Sequence, residues 1–300
     1  MTHNKPTLLF ILLLFFAAVS CKKTIIPFSN VIELKNSPTS PTDEGLNAFF
    51  DLGSWMGFAL SDDKTTTGFS GPYILGVEHG IWASNNFTSL DLVDENGNSL
   101  LRNLNYSEQN YFPGKLENQI TFEEINLKST LIFTSSKSLV ISTIITNNGN
   151  QKLEFTPQWE GEIFHQIGHF INKDTHLITL MEKGQKIYLN PISDEPFNIY
   201  SDSNKYIVSL KNDNLKPTET KIYSIEIQYH PDQKKQQKTI RKINISKAVE
   251  DNQLRWSKYL EITKNNSLSK DEKRILTKSI CTLINNWRSA AGALKHDGLF

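Results

Sequence analysis

Between residues 46 and 245 the chain repeats one pattern: short runs in which apolar and polar side chains alternate, divided by turn chemistry, with no helical period between them. Successive side chains of a strand point to opposite faces, so each such run can bury one face and wet the other. In "TKIYSIEIQYH" the alternation places Tyr223, Ile225, Ile227 and Tyr229 on one face. The runs "THLITLMEKGQKIYLN" and "KYIVSLKND" read the same way. "SLDLVDENGNSLL" sets Asn96-Gly97 between Leu90, Leu92 and Leu100, and "SLVISTIITNNGNQKLEFTPQW" sets Asn148-Gly149 between two β-branched or aromatic runs. Asn-Gly accepts the positive φ that tight turns require, so both stretches predict hairpins. The whole region, residues 46–245, predicts a mainly β fold, a large antiparallel sandwich.

After residue 245 the period changes. "SKAVEDNQLRWSKYLEIT" gives Val249, Trp256, Tyr259 and Leu260 a helical spacing, with Ser246 placed to cap the start. In "SKDEKRILTKSICTLINNWR", Ser269 and Glu272 form a capping box, and Leu276, Ile280, Leu283, Ile284 and Trp287 make one apolar stripe. That stripe needs something to pack on. Residues 246–300 therefore read as a helical linker and the opening of a second architecture.

The first residues carry a different message. Lys5 precedes an unbroken apolar stretch over residues 8–19, followed by small residues before Cys21. Twelve apolar residues are too few to cross ~30 Å of hydrocarbon, which takes about 20, so residues 1–20 read as an export signal rather than a span. Ala18-Val19-Ser20-Cys21 resembles the bacterial lipobox, which makes Cys21 the expected lipid attachment site. The expected product is exported and anchored to the membrane, on the periplasmic or the cell-surface side. Residues 21–45, which include "SPTSPTD", have the composition of a linker. Charge is balanced at 32 basic and 32 acidic residues, so no general electrostatic pull on nucleic acid exists. Cys281, the one other cysteine, falls in the helical region and reads as a small buried apolar side chain.

Several constellations invite chemistry. His165 and His169 stand four apart, with His176 beyond; on a strand the first two lie about 13 Å apart at ~3.3 Å per residue, too far to share an ion, so no metal is expected. "DENGN" resembles a calcium loop but lacks the acidic residue that should close it. "HPDQKKQQK", starting at His230, reads as a solvated basic run. Asp62-Asp63, Asp94-Glu95 and Glu123-Glu124 are adjacent pairs, which a strand would send to opposite faces, so none makes a facing acid and base. "FFDLGSWMGF" is aromatic and Gly-rich: Phe50 reads as core, while Trp55 is a candidate to floor a sugar, because indole faces stack on the apolar faces of pyranose rings. Trp287 continues the helical stripe, and Arg288 offers a planar fork suited to carboxylates or sugar hydroxyls.

"NAFFDLGSWMGFAL" at residues 47–60, with the "GFSGP" turn that follows, resembles the N-terminal signature of bacterial glycoside hydrolase family 63, relatives of the processing mannosyl-oligosaccharide glucosidases. "NNWRSAAGALKHDGLF" at residues 285–300 resembles the stretch that opens their catalytic domain. The resemblance implies an N-terminal β-supersandwich, a helical linker and an (α/α)₆ barrel. It further implies inverting hydrolysis of α-glucosides or related oligosaccharides, without metal or organic cofactor. Inverting chemistry needs an acid and a base roughly 6.5 to 9.5 Å apart. In the family both lie inside the barrel, so the resemblance implies that this chain, stopping at its entrance, holds no catalytic residue. Trp55, Trp287 and Arg288 are then candidates for substrate binding. A second expectation is a stand-alone carbohydrate-binding or scaffold lipoprotein built on the sandwich alone.

Overall fold

A computed structural model describes residues 28–76, 79–101, 107–173, 176–181, 184–230, 243–292 and 294–300. The signal segment, Cys21 and the basic run over 231–238 lie outside the described residues. Numbered along the chain, the described residues form strands β1 to β18 and helices α1 and α2, and the fold is mainly β, as the alternation predicts.

Two antiparallel sheets make the body. The larger runs β10 (Gly168–Lys173), β11 (His176–Met181), β12 (Lys186–Ile192), β16 (Thr220–Tyr229), β8 (Ser138–Asn147), β7 (Ile125–Ser135), β6 (Lys115–Phe122), β5 (Ser107–Phe112). The smaller runs β13 (Phe197–Asp202), β14 (Lys205–Leu210), β9 (Leu153–Glu162), β15 (Asp213–Leu215), with β4 (Ser89–Val93) also paired to β9. A third sheet, β1 (Met56–Ala59), β2 (Ser70–Ile74) and β3 (Ile81–Trp82), adds a patch over Ala48, Phe50, Tyr73 and Trp82.

The inner faces are the apolar halves of the alternating runs. Tyr223, Ile225, Ile227 and Tyr229 of β16 are all buried, and so are Phe155 and Trp159 of β9 and Tyr206 and Val208 of β14. Rings cross the interior: Phe155 meets Tyr223 at 6.2 Å between centroids, and Phe170 meets Tyr206 at 5.1 Å. Each large apolar side chain fully removed from water contributes about 1.5–3 kcal/mol, which makes this interior the main source of stability.

The helices close the molecule. Asn244, not Ser246, caps α1 (Ile245–Tyr259), its side chain accepting the Lys247 amide at 3.0 Å. Helix α2 (Lys270–Asn286) starts with the expected capping box: Ser269 Oγ accepts from the Glu272 amide, and Glu272 accepts the Ser269 amide at 2.7 Å. Trp256, Leu260 and Cys281 belong to the same buried cluster as the sandwich.

Three expectations are corrected. Residues 28–45 do not hang free as a linker: Phe28, Val31 and Leu34 are buried in the main core, and Lys35 bridges to Leu60. The Asn148-Gly149 turn joins no hairpin, because β8 pairs with β7 and β16 whereas β9 pairs with β4, β14 and β15. It carries the chain from one sheet to the other, held by Asn147, whose side chain donates to Gln151 O and Leu215 O. On α2 the buried line passes through Thr277 and Cys281, so Leu283 and Trp287 of the expected stripe face outward.

Candidate functional site

The two motifs singled out at opposite ends of the chain meet in space. The loop over residues 49–55 turns sharply at Leu52 and Gly53, both left-handed at φ 53° and 71°. Gly53 is needed twice over: it takes a backbone shape that L side chains resist, and a Cβ there would stand 2.6 Å from the Ser289 amide nitrogen. The close approach lets Gly53 O accept both the Ser289 amide and the Ser289 hydroxyl at 2.9 Å. Asn285 clamps the same loop, accepting the Phe50 amide at 2.8 Å and donating to Ala48 O at 3.0 Å.

Trp55, Trp287 and Arg288 are brought together here. Trp55 Nε1 donates to Ser289 O at 2.9 Å, and its ring meets Phe300 edge-on at 5.8 Å. Trp287 and Arg288 form the short strand β17 (Trp287–Arg288), which pairs with β18 (Gly298–Leu299), so Trp287 stands opposite Leu299. Trp287 is 40% exposed, and Leu299 and Phe300 are exposed beside it, giving the junction an apolar rim. Arg288 is only 4% exposed. Its guanidinium lies 4.1 Å over the Phe50 ring and donates to Asn285 O and Trp287 O at 2.7 Å. Burial pulls its pKa down to about 10, so it stays charged at neutral pH. Its Nε has no hydrogen-bond partner among the described residues. Arg288 therefore braces the loop from within, while Trp55, Trp287 and Phe300 face the rim. Phe50 is core, as expected, wedged between Arg288 and Gly57, where a Cβ would come within 2.5 Å of its ring.

Beneath the loop lies a polar cluster that the sequence reading passed over. Asp51 is fully buried and takes a two-pronged contact from Arg255 of α1 at 2.8 Å, the Trp256 Nε1 proton at 2.9 Å and the Leu52 amide at 2.7 Å. Asn252 accepts from Arg255 and donates to Gly114 O. The available signal was an acidic residue inside an aromatic run, since a charge among buried rings requires a partner. Next to it, burial pushes the Cys281 thiol up to about 11, against a lowering contact from Tyr111. An inert, buried thiol is the outcome the sequence suggested.

Other candidates do not converge on this junction. Asp94 is a half-buried residue at the mouth of a turn, and its carboxyl accepts the Asn98 and Asn96 amides at 2.7 and 2.9 Å, which hold its pKa down. His165 sits in a turn closed by the Ile167 amide on Phe164 O, not on a strand; His169 lies on β10 and His176 on β11. No group of three His, Cys, Asp or Glu placed to hold a metal exists among the described residues. Two carboxyls shifted upward by burial, Glu160 and Glu226, stand on different sheets.

Residues 37–184, just under half of the chain, match the family model described as "Glucosidase YgjK, N-terminal". Among solved structures, a human-microbiome protein named for kojibiose phosphorylase is 11% identical with a TM-score of 0.54, over 81% of this chain and 40% of that one. The chain thus spans well under half of that protein. A galactose mutarotase-like protein from Lactobacillus casei, 10% identical, is covered over its whole length by 61% of this chain with a TM-score of 0.39. A heparan sulfate lyase from Pedobacter heparinus, also 10% identical, has a TM-score of 0.35 over 45% of this chain and 24% of that one. At 11% identity the likeness to the protein named for kojibiose phosphorylase is one of fold. Over residues 37–184 the chain is therefore similar to the N-terminal domain that the YgjK glucosidase model describes.

Proposed function

We propose that this chain is the N-terminal β-domain and helical junction of a carbohydrate-active enzyme resembling glycoside hydrolase family 63, acting on α-glucosides or related oligosaccharides. In this reading the helices and the 287–300 segment seat a helical catalytic domain, Trp55 and Trp287 belong to the wall of the substrate pocket shared with it, and Arg288, expected there from the sequence, braces that wall from inside against Phe50. The observation that carries the reading is the docking of residues 285–300 onto the 49–55 loop, beside apolar side chains left open to solvent: Leu254, Ile262, Ile275, Leu283, Trp287, Leu299 and Phe300. Such a surface suits an interface better than open water. The acid and base are assigned to the catalytic domain, because Asp51, the carboxylate beneath the loop, is fully buried with both oxygens engaged. Export and acylation at Cys21 are part of the same proposal; among the described residues no helix is long and apolar enough to cross a membrane.

A stand-alone carbohydrate-binding lipoprotein is the second reading. It draws support from Trp256 and Cys281, which share the sandwich core and let the helices fold on it unaided. Incubating the purified chain with α-linked glucobioses of each linkage tests the assignment. No glucose should be released above the buffer rate, and release by the chain alone would place the chemistry inside it and sink the proposal.

A further inference from the structure

The outer face of the smaller sheet carries an arrangement that neither motif explains. Strand pairing places Tyr200, Ile207, Glu160 and Ser89 side by side in one line across β13, β14, β9 and β4. The next line toward the end of the sheet is Asp202, Lys205 and Glu162, and the line on the other side is Asn198, Ser209, Gln158 and Asp91. Neighbouring strands lie about 4.8 Å apart, so Tyr200 and Ile207 form a continuous apolar strip about two strands wide. Tyr200 is 64% exposed and Ile207 is 37% exposed, although Tyr206 and Val208, on either side of Ile207, are buried. The strip is not flat against solvent: Glu160, Glu162, Tyr200, Asp202, Lys205 and Ile207 line a concavity of about 340 Å³, within the range of about 300–1,000 Å³ common for small-ligand sites. Glu160 remains exposed on this face, and partial desolvation raises its carboxyl above its usual value, the Asp91 charge adding to the rise and Lys205 opposing it.

We propose that this face binds a neutral oligosaccharide, one pyranose ring stacking on Tyr200 and Ile207 while its hydroxyls donate to Glu160 and Asp202. The chemistry selects the ligand class. A sugar ring presents an apolar face that an aromatic and an aliphatic side chain can cover together, and an edge of hydroxyls that carboxylates accept. Three acidic side chains surround one lysine, whose Nζ already lies 3.5 Å from Glu162. That balance repels sulfated or uronic glycans, phosphates and nucleic acid. The site stands on the geometry of this sheet and is separate from the junction, so it can exist whether or not the junction serves a catalytic domain.

Isothermal titration of the protein with maltoheptaose, cellohexaose and mannohexaose, with a heparin hexasaccharide as the anionic comparison, tests it. At least one neutral oligosaccharide should bind saturably and the heparin fragment should not. Tyr200→Ala should weaken binding by about tenfold or more, as loss of one stacking platform does, and Glu160→Gln by about threefold to tenfold. Ile222→Ser, at an exposed residue of β16 in the larger sheet, should leave this affinity unchanged. Tyr200 is exposed, so its replacement spares the core; an unchanged circular dichroism spectrum confirms this. Absence of binding by the parent protein, tighter binding of the heparin fragment, or affinity indifferent to Tyr200→Ala and Glu160→Gln would each overturn the proposal. So would loss of binding on Trp55→Ala alone, which would move the sugar to the junction.

Discussion

Glu226 shows how a single residue departs from its strand's pattern. It stands on the polar side of β16, yet is only 3% exposed. Burial raises its carboxyl above the usual 4.5, while contacts from Gln228 and Asn190, the latter at 3.2 Å, pull the other way. A carboxyl with a raised folded-state pKa holds its proton more tightly in the folded chain. Its contribution to stability is therefore fully present below about 4.5 and is lost as pH rises through the folded value. Replacing it by Gln keeps an acceptor for Asn190 and removes that loss. Urea denaturation of Glu226→Gln should give a higher midpoint than the parent protein at pH 7 and a similar one at pH 4. An equal or lower midpoint at pH 7 would show that the buried charge is not a cost.

At the scale of elements, the loop over residues 49–55 is the part that ties helix to sandwich, and Asp51 is its anchor. Removing one partner of a buried ion pair leaves the other unpaired, and Arg255, at 18% side-chain exposure, can recover only some hydration. Asp51→Asn should therefore cost about 3 kcal/mol in chemical denaturation. It should also speed amide hydrogen exchange in α1 more than in β7 and β8. A loss below about 0.5 kcal/mol would mean that the pair contributes no more than a surface one.

The elements themselves differ in how legible they were. Strands such as β16 and the start of α2 are written locally, in alternation and in the Ser269 and Glu272 capping box. The partner of a strand is not written locally. Asn148-Gly149 reads as a hairpin turn by chemistry alone, but its strands belong to different sheets, because long-range burial decides which edge each strand meets. The segment over residues 28–45 misleads for the same reason: its Ser, Thr and Pro content describes a linker, while Phe28, Val31 and Leu34 find the core. Of the site, Trp55, Trp287 and Arg288 were legible as residue types. That Arg288 would turn inward onto Phe50 was not, since it depends on Gly53 and Asn285 holding the two motifs together.

For the whole molecule, two facts stand in tension: the helices are rooted in the sandwich core through Trp256 and Cys281, yet their outer side keeps Leu254, Ile275 and Leu283 in water. Exposed apolar side chains on both helices suit an interface, and a helical catalytic domain is the cover proposed for them. Sedimentation velocity of the purified protein, alone and as Leu283→Ser with Trp287→Ser, reads this most directly, because Leu283 is 54% exposed and its loss leaves the core intact. The expected result is concentration-dependent self-association of the parent chain that the double variant relieves, with both giving the same circular dichroism spectrum. A parent chain that stays monomeric across the micromolar range, without binding a hydrophobic dye, would contradict a docking face on these helices.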